Sequence, residues 1–99
     1  MLFMIVAEHT AETCPGGTVR PDKHFIDKVT ESMKKSGVKM VEGYLDGPGH
    51  VFYYIVEAND NVAINNAAEP FRLVGKVKVS PVLTHSQSVA WTKSIGIQG

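Results

Sequence analysis

His50-Val51-Phe52-Tyr53-Tyr54-Ile55-Val56-Glu57-Ala58 is the stretch on which the fold turns. It is rich in aromatic and β-branched residues and follows the turn sequence Asp46-Gly47-Pro48-Gly49, so it reads as a strand. Both alternating sets are apolar: Val51, Tyr53 and Ile55 on one side, Phe52, Tyr54 and Val56 on the other. Neither face is suited to water. Val38 to Leu45 reads as the strand before it, and the two make a hairpin across the Gly-Pro-Gly turn.

Upstream, Phe25, Ile26, Val29 and Met33 recur at helical spacing, with Lys28, Glu31, Lys34 and Lys35 on the wet side. Asp22 can cap this helix, and Gly37 can take the left-handed conformation that stops it. Leu2 to Glu8 is a short apolar run that reads as a buried first strand. Downstream, Asp60 can cap a second helix carrying Val62, Ala63, Ile64, Ala67 and Ala68, which Pro70 is expected to end. Gly75 to Thr84 reads as a fourth strand, with Pro81 arguing for an edge or a bulge.

The order strand, helix, strand, strand, helix, strand predicts an α+β, ferredoxin-like split βαβ domain over residues 1–84: a four-stranded antiparallel sheet with two helices on one face. The first and third strands are expected as central, parallel neighbours, which would set Glu8 beside Glu57. The uncovered apolar face predicts a homodimer formed sheet to sheet, because a monomer tolerates only limited exposed apolar area. Residues 85–99 form a tail whose one large anchor, Trp91, suits an arm packed on a neighbour.

Ten basic and ten acidic residues balance, so the chain has no global field for a nucleic-acid backbone or an anionic membrane surface. Its apolar runs fall far short of the ~20 residues that span a bilayer. The first run ends in Glu8 and lacks a basic leader, so it reads as a strand rather than a signal peptide. Cys14 is the sole cysteine, which fits a reducing cytoplasm.

Three stretches, Tyr54-Ile55-Val56-Glu57-Ala58-Asn59-Asp60, Phe71-Arg72-Leu73-Val74 and Val77-Lys78-Val79-Ser80-Pro81-Val82, resemble the second half of small uncharacterised members of the dimeric α+β-barrel proteins, a branch of the ferredoxin-like superfamily. The resemblance covers the layout of residues 1–84 and implies a cavity between sheet and helices in each protomer. That superfamily includes muconolactone isomerases, small monooxygenases acting on aromatic substrates, haem-degrading enzymes and stress-induced proteins of unknown activity. The resemblance does not choose among these chemistries. The second helix, which supplies an axial histidine in haem-degrading members, has no histidine here.

The segment His9-Thr10-Ala11-Glu12-Thr13-Cys14-Pro15-Gly16-Gly17 opens a loop of about a dozen residues, long enough to suspect function. If the first helix runs back along the first strand, its opening turn brings His24 over the point where His9 leaves the sheet. His9, Glu12, Cys14 and His24 then form a candidate metal set for zinc or another transition metal, with Glu12 as fourth ligand or as base for a bound water. Gly16 and Gly17 would let the loop fold back over an ion. A second reading makes Cys14 a nucleophile or redox thiol activated by a histidine, and a third leaves the loop without a site.

Glu57, paired with Glu8, is a candidate acid-base group, and Tyr53, with Phe52 and Tyr54, a candidate lining for a flat ligand in the cavity. That supports an alternative in which a cofactor-free isomerase or monooxygenase-like enzyme works in the cavity; a structural module is the remaining class. Whether the protein is an enzyme stays open. His50 and His85 are expected at the opposite end of the sheet from His9, and Glu42, if buried, would need a hydroxyl partner.

Overall fold

Strict alternation in β1 (Leu2–His9) buries Phe3, Ile5, Ala7 and His9 on one face, with Leu2, Met4, Val6 and Glu8 on the other. The same period runs through β3 (Val51–Glu57), where Phe52, Tyr54 and Val56 are buried. The computed structural model describes residues 1–19 and 21–96. Its remaining elements are α1 (Phe25–Lys35), β2 (Lys39–Asp46), α2 (Asn61–Ala67), α3 (Glu69–Arg72), β4 (Gly75–Val82) and α4 (His85–Ser94).

The strands form one sheet in the order β2-β3-β1-β4, and every neighbouring pair is antiparallel. In β2 a bulge between Met40 and Glu42 shifts the register by one residue. Pro81 lies on the edge strand β4, as its missing N–H demands. Phe25, Val29 and Met33 of α1, Ile64 and Ala67 of α2 and Phe71 of α3 are buried with the inward residues of β1 and β3 in one core. The space between helices and sheet is occupied by Phe25, Phe52, Tyr54 and Phe71, whose ring centroids lie 5.4–6.3 Å apart in five neighbouring pairs.

Three expectations change. The first and third strands are antiparallel, so Glu57 faces Leu2 and Glu8 faces Val51 at the other end. The two carboxylates that the sequence suggested as neighbours sit at opposite ends of the sheet, which removes the acid-base pair. The same reversal brings His50 to the His9 end, where the His9 N–H donates to the His50 carbonyl at 3.0 Å. Second, the described residues hold four helices rather than two. Asp60 caps α2, accepting from the Ala63 N–H at 2.9 Å, but Pro70 starts the short α3 instead of ending α2, an early helical position where proline is well tolerated. Third, Asp22 is not the cap residue of α1: His24 stands there, and Asp22 instead accepts from the His24 N–H at 3.0 Å and from Lys28 Nζ at 2.7 Å. Gly37 does take positive φ, +72°.

Candidate metal centre

His9 ends β1 on the helix-covered face, against Phe52 at a ring-centroid distance of 5.3 Å. Only 9% of it is exposed, and neither ring nitrogen has a hydrogen-bond partner among the described residues. His50 follows the hairpin turn in which Asp46 Oδ1 accepts from the Gly49 N–H at 2.9 Å and Gly47 carbonyl accepts from the His50 N–H at 3.2 Å. That turn gives His50 a φ of +56°, a conformation uncommon outside glycine. The result is an edge-on contact between the two imidazoles, centroids 5.2 Å apart, with His50 Nδ1 also buried and unpartnered.

The third member comes from the loop after β1. Thr10 and Thr13 bond to each other through backbone and hydroxyl groups, the Gly17 N–H donates to the Cys14 carbonyl at 2.9 Å, and the Asp22 N–H donates to the Pro15 carbonyl at 2.8 Å. A Cβ at Gly17 would stand 3.2 Å from the Ala11 and Cys14 carbonyl oxygens, so the tight fold of this loop uses the missing side chain. The loop returns Cys14 to the strand end, and ligand atoms of His9, Cys14 and His50 all lie within 4.8 Å of one another.

Ligand atoms around a zinc ion are separated by roughly 3.5 Å, given metal–ligand bonds of ~2.0–2.3 Å. The observed grouping needs a contraction of about 1 Å to reach that geometry. Three unpartnered imidazole nitrogens each carry a desolvation cost of about 1–3 kcal/mol unless something satisfies them. Burial, and secondarily the charge of His50, pushes the His9 imidazole below its ordinary pKa, which favours the neutral, ligating form.

A pocket of about 400 Å³ reaches His9 between Thr10, Thr13, Val74, Gly75 and Lys76. Gly75 pairs with His9 across the β1 and β4 ladder, and a Cβ there would run into the Glu8 carbonyl oxygen. Glycine is therefore required where the two strands meet beside the cluster.

The structure brings together two of the four sequence candidates, His9 and Cys14, and adds His50. Glu12 is exposed in the turn between Thr10 and Thr13. His24 is exposed on α1, with Nδ1 3.8 Å from Asp27 Oδ2, and lines a polar groove between α1 and α2. Tyr53 lies on the sheet face away from the helices, while Phe52 and Tyr54 are core residues, so the three aromatics do not line one cavity. Glu57 is exposed at the far end of β3, and Glu42 is exposed with its carboxylate accepting from the Gly43 N–H. His50 was missed because strand direction was misjudged; the signal that could have found it is a hairpin, which reverses the chain and returns β3 to the level of His9.

No curated protein matches this sequence. A family model described as a domain of unknown function, DUF3303, matches residues 1–95. The chain belongs to the DUF3303 family.

Proposed function

We propose that this protein binds a transition-metal ion, zinc or a metal of similar softness, through His9, Cys14 and His50. The observation that carries the reading is the edge-on pair of imidazoles with three buried nitrogens, unpartnered among the described residues, beside a thiol. A buried structural histidine would normally bond a carbonyl or carboxylate through at least one ring nitrogen. His9 bonds neither, and thiolate with imidazole is the donor set of borderline metals. Three protein ligands leave a position open, and the pocket reaching His9 gives a small molecule access to that end of the sheet. Catalysis is not required by this reading: an ion held by three ligands serves a carrier or sensor equally well.

In the same proposal the domain has ferredoxin-like architecture, supported by the order β2-β3-β1-β4 with α1, α2 and α3 on one face. It acts as a homodimer joined through the sheet face that those helices leave uncovered. A reducing cytoplasm is the compartment that keeps a lone Cys14 available as a thiolate ligand.

Cobalt(II) titration tests the site. The wild type is expected to develop a near-ultraviolet thiolate-to-cobalt band at one equivalent, displaced by zinc, and Cys14→Ser to lose the band. A wild-type protein that shows no band with reduced Cys14 overturns the proposal.

A further inference from the structure

The surroundings of His9, Cys14 and His50 constrain the charge and the coordination number of an ion held between them. Among the described residues no carboxylate oxygen joins the group. The acids adjacent in sequence or in register are turned elsewhere. Glu8 lies on the opposite face of β1 from His9 and pairs with Lys76, Glu12 is exposed in the turn between Thr10 and Thr13, and Asp46 Oδ1 accepts from the Gly49 N–H at 2.9 Å. The Thr10 and Thr13 hydroxyls bond to each other at 3.1 Å. The cluster therefore offers a single anionic donor, the Cys14 thiolate, and two neutral imidazoles.

A net charge would be poorly placed here. His9 packs on Phe52, which packs in turn on Phe25 and Phe71 in the core, and both ring nitrogens of His9 and Nδ1 of His50 are buried. Charge left in such surroundings is costly unless it is paired. With a dication these three ligands make a centre of charge +1, which needs a further anion, a hydroxide or a carboxylate, to become neutral. With a monovalent ion the same ligands close at zero. Coordination number points the same way: zinc sites are almost always four-coordinate, whereas a cuprous ion is satisfied by three ligands. Metal-bound histidines also usually donate their second ring N–H to a carboxylate or carbonyl, which raises their basicity and supports the charge of a dication. Neither nitrogen of His9 makes such a bond among the described residues.

We infer that the ion this cluster is built for is copper(I), held trigonally by one ring nitrogen each of His9 and His50 and by Cys14 Sγ. This deepens the metal-binding reading proposed above and rests on it. Binding forms two Cu–N bonds and one Cu–S bond, the thiol proton passes to solvent, and copper is neither oxidised nor reduced. Thiolate is the soft donor that selects copper(I), and imidazole suits copper equally. His9 is the closed side of the centre. Cys14 is half-buried, so the ion enters and leaves by exchange at its sulfur. Zinc and cobalt are weaker occupants that must recruit a fourth ligand from solvent.

Anaerobic competition on the full chain tests the assignment, with a chromophoric cuprous chelator and ascorbate for copper(I) and a chromophoric chelator for zinc. The wild type is expected to take a single copper(I) ion per chain and to hold it at least about a hundredfold more tightly than zinc. Cys14→Ser should abolish copper(I) binding, and His9→Phe and His50→Asn should each weaken it by about tenfold or more, with His24→Ala unchanged. X-ray absorption at the copper edge needs no variant and is expected to show one sulfur, two nitrogens and no fourth light atom. Copper(I) held as tightly by the two histidine variants as by the wild type would mean capture by a bare thiol and overturns the inference. Zinc bound as tightly as copper(I), or an oxygen in the copper shell, also overturns it and leaves the transition-metal site standing. Binding of neither metal overturns both.

Discussion

His50 is where backbone strain and chemistry meet. A non-glycine residue at φ +56° costs on the order of 1 kcal/mol, and asparagine tolerates that region better than histidine. His50→Asn is therefore predicted to leave the metal-free protein as stable as the wild type or raise its melting temperature by a few degrees, roughly 4–8 °C per kcal/mol for a domain this size, while abolishing metal binding. Calorimetry with and without zinc checks both halves. His9 carries a pH dependence of definite sign. Its folded-state pKa is depressed, so below the ordinary imidazole value of about 6.5 the unfolded chain binds a proton that the folded chain refuses. Stability is full above that value and lost as pH falls through the folded-state pKa. Urea midpoints of the metal-free protein should decline on acidification across this window, and His9→Phe should flatten the decline; an unchanged slope in the variant would place the sensitivity elsewhere.

Gly75 shows at the level of elements how the site depends on the sheet. Its backbone lies against the Glu8 carbonyl where β4 meets the end of β1, so Gly75→Ala must push the strands apart. A loss of about 1–3 kcal/mol in urea unfolding is expected, together with weaker metal binding, since His9 moves with β1. The strands were legible because period-two apolar runs are short and bounded by turn residues: the starts of β1 and β4 and the residues of the β2 and β3 hairpin all fall within a residue or two of expectation. Chain direction was harder. A helical crossover keeps direction, but the Asp46 to His50 turn reverses it, and overlooking that parity exchanged Glu57 for His50 at the end of the sheet that holds His9. Pro70 misled for a different reason: a proline is equally at home just after one helix and in the first turn of the next. His24 fell out because Asp22 holds the chain before α1 through Lys28 and the His24 N–H, leaving the imidazole in solvent.

In the whole molecule, surface is left over. The Cα radius of gyration is 15.4 Å, against about 13 Å for a compact chain of 100 residues. The helix α4 has a complete capping box at Thr84 and Gln87 yet buries none of its residues, and it exposes Val89 and Trp91, with Ile95 exposed just after it. A ten-residue helix without packing is marginal in water. Trp91 is the chain's sole tryptophan, so its emission reports on this segment. If a second copy covers α4 and the open sheet face, emission shifts to the blue as concentration rises, and Ile55→Lys, which sets a charge at the centre of that face, remains monomeric with red-shifted emission. A blue-shifted spectrum in a proven monomer would mean that α4 packs within its own chain.

The metal content of untagged, reduced protein purified without chelators tests the central claim most directly. Elemental mass spectrometry is predicted to find about one ion per chain in the wild type, retained in Glu12→Gln and His24→Ala and lost in His9→Ala, Cys14→Ser and His50→Asn. No metal in the wild type, with no uptake of added zinc, copper or iron, would contradict it, as would an ion that survives loss of Cys14 and His50.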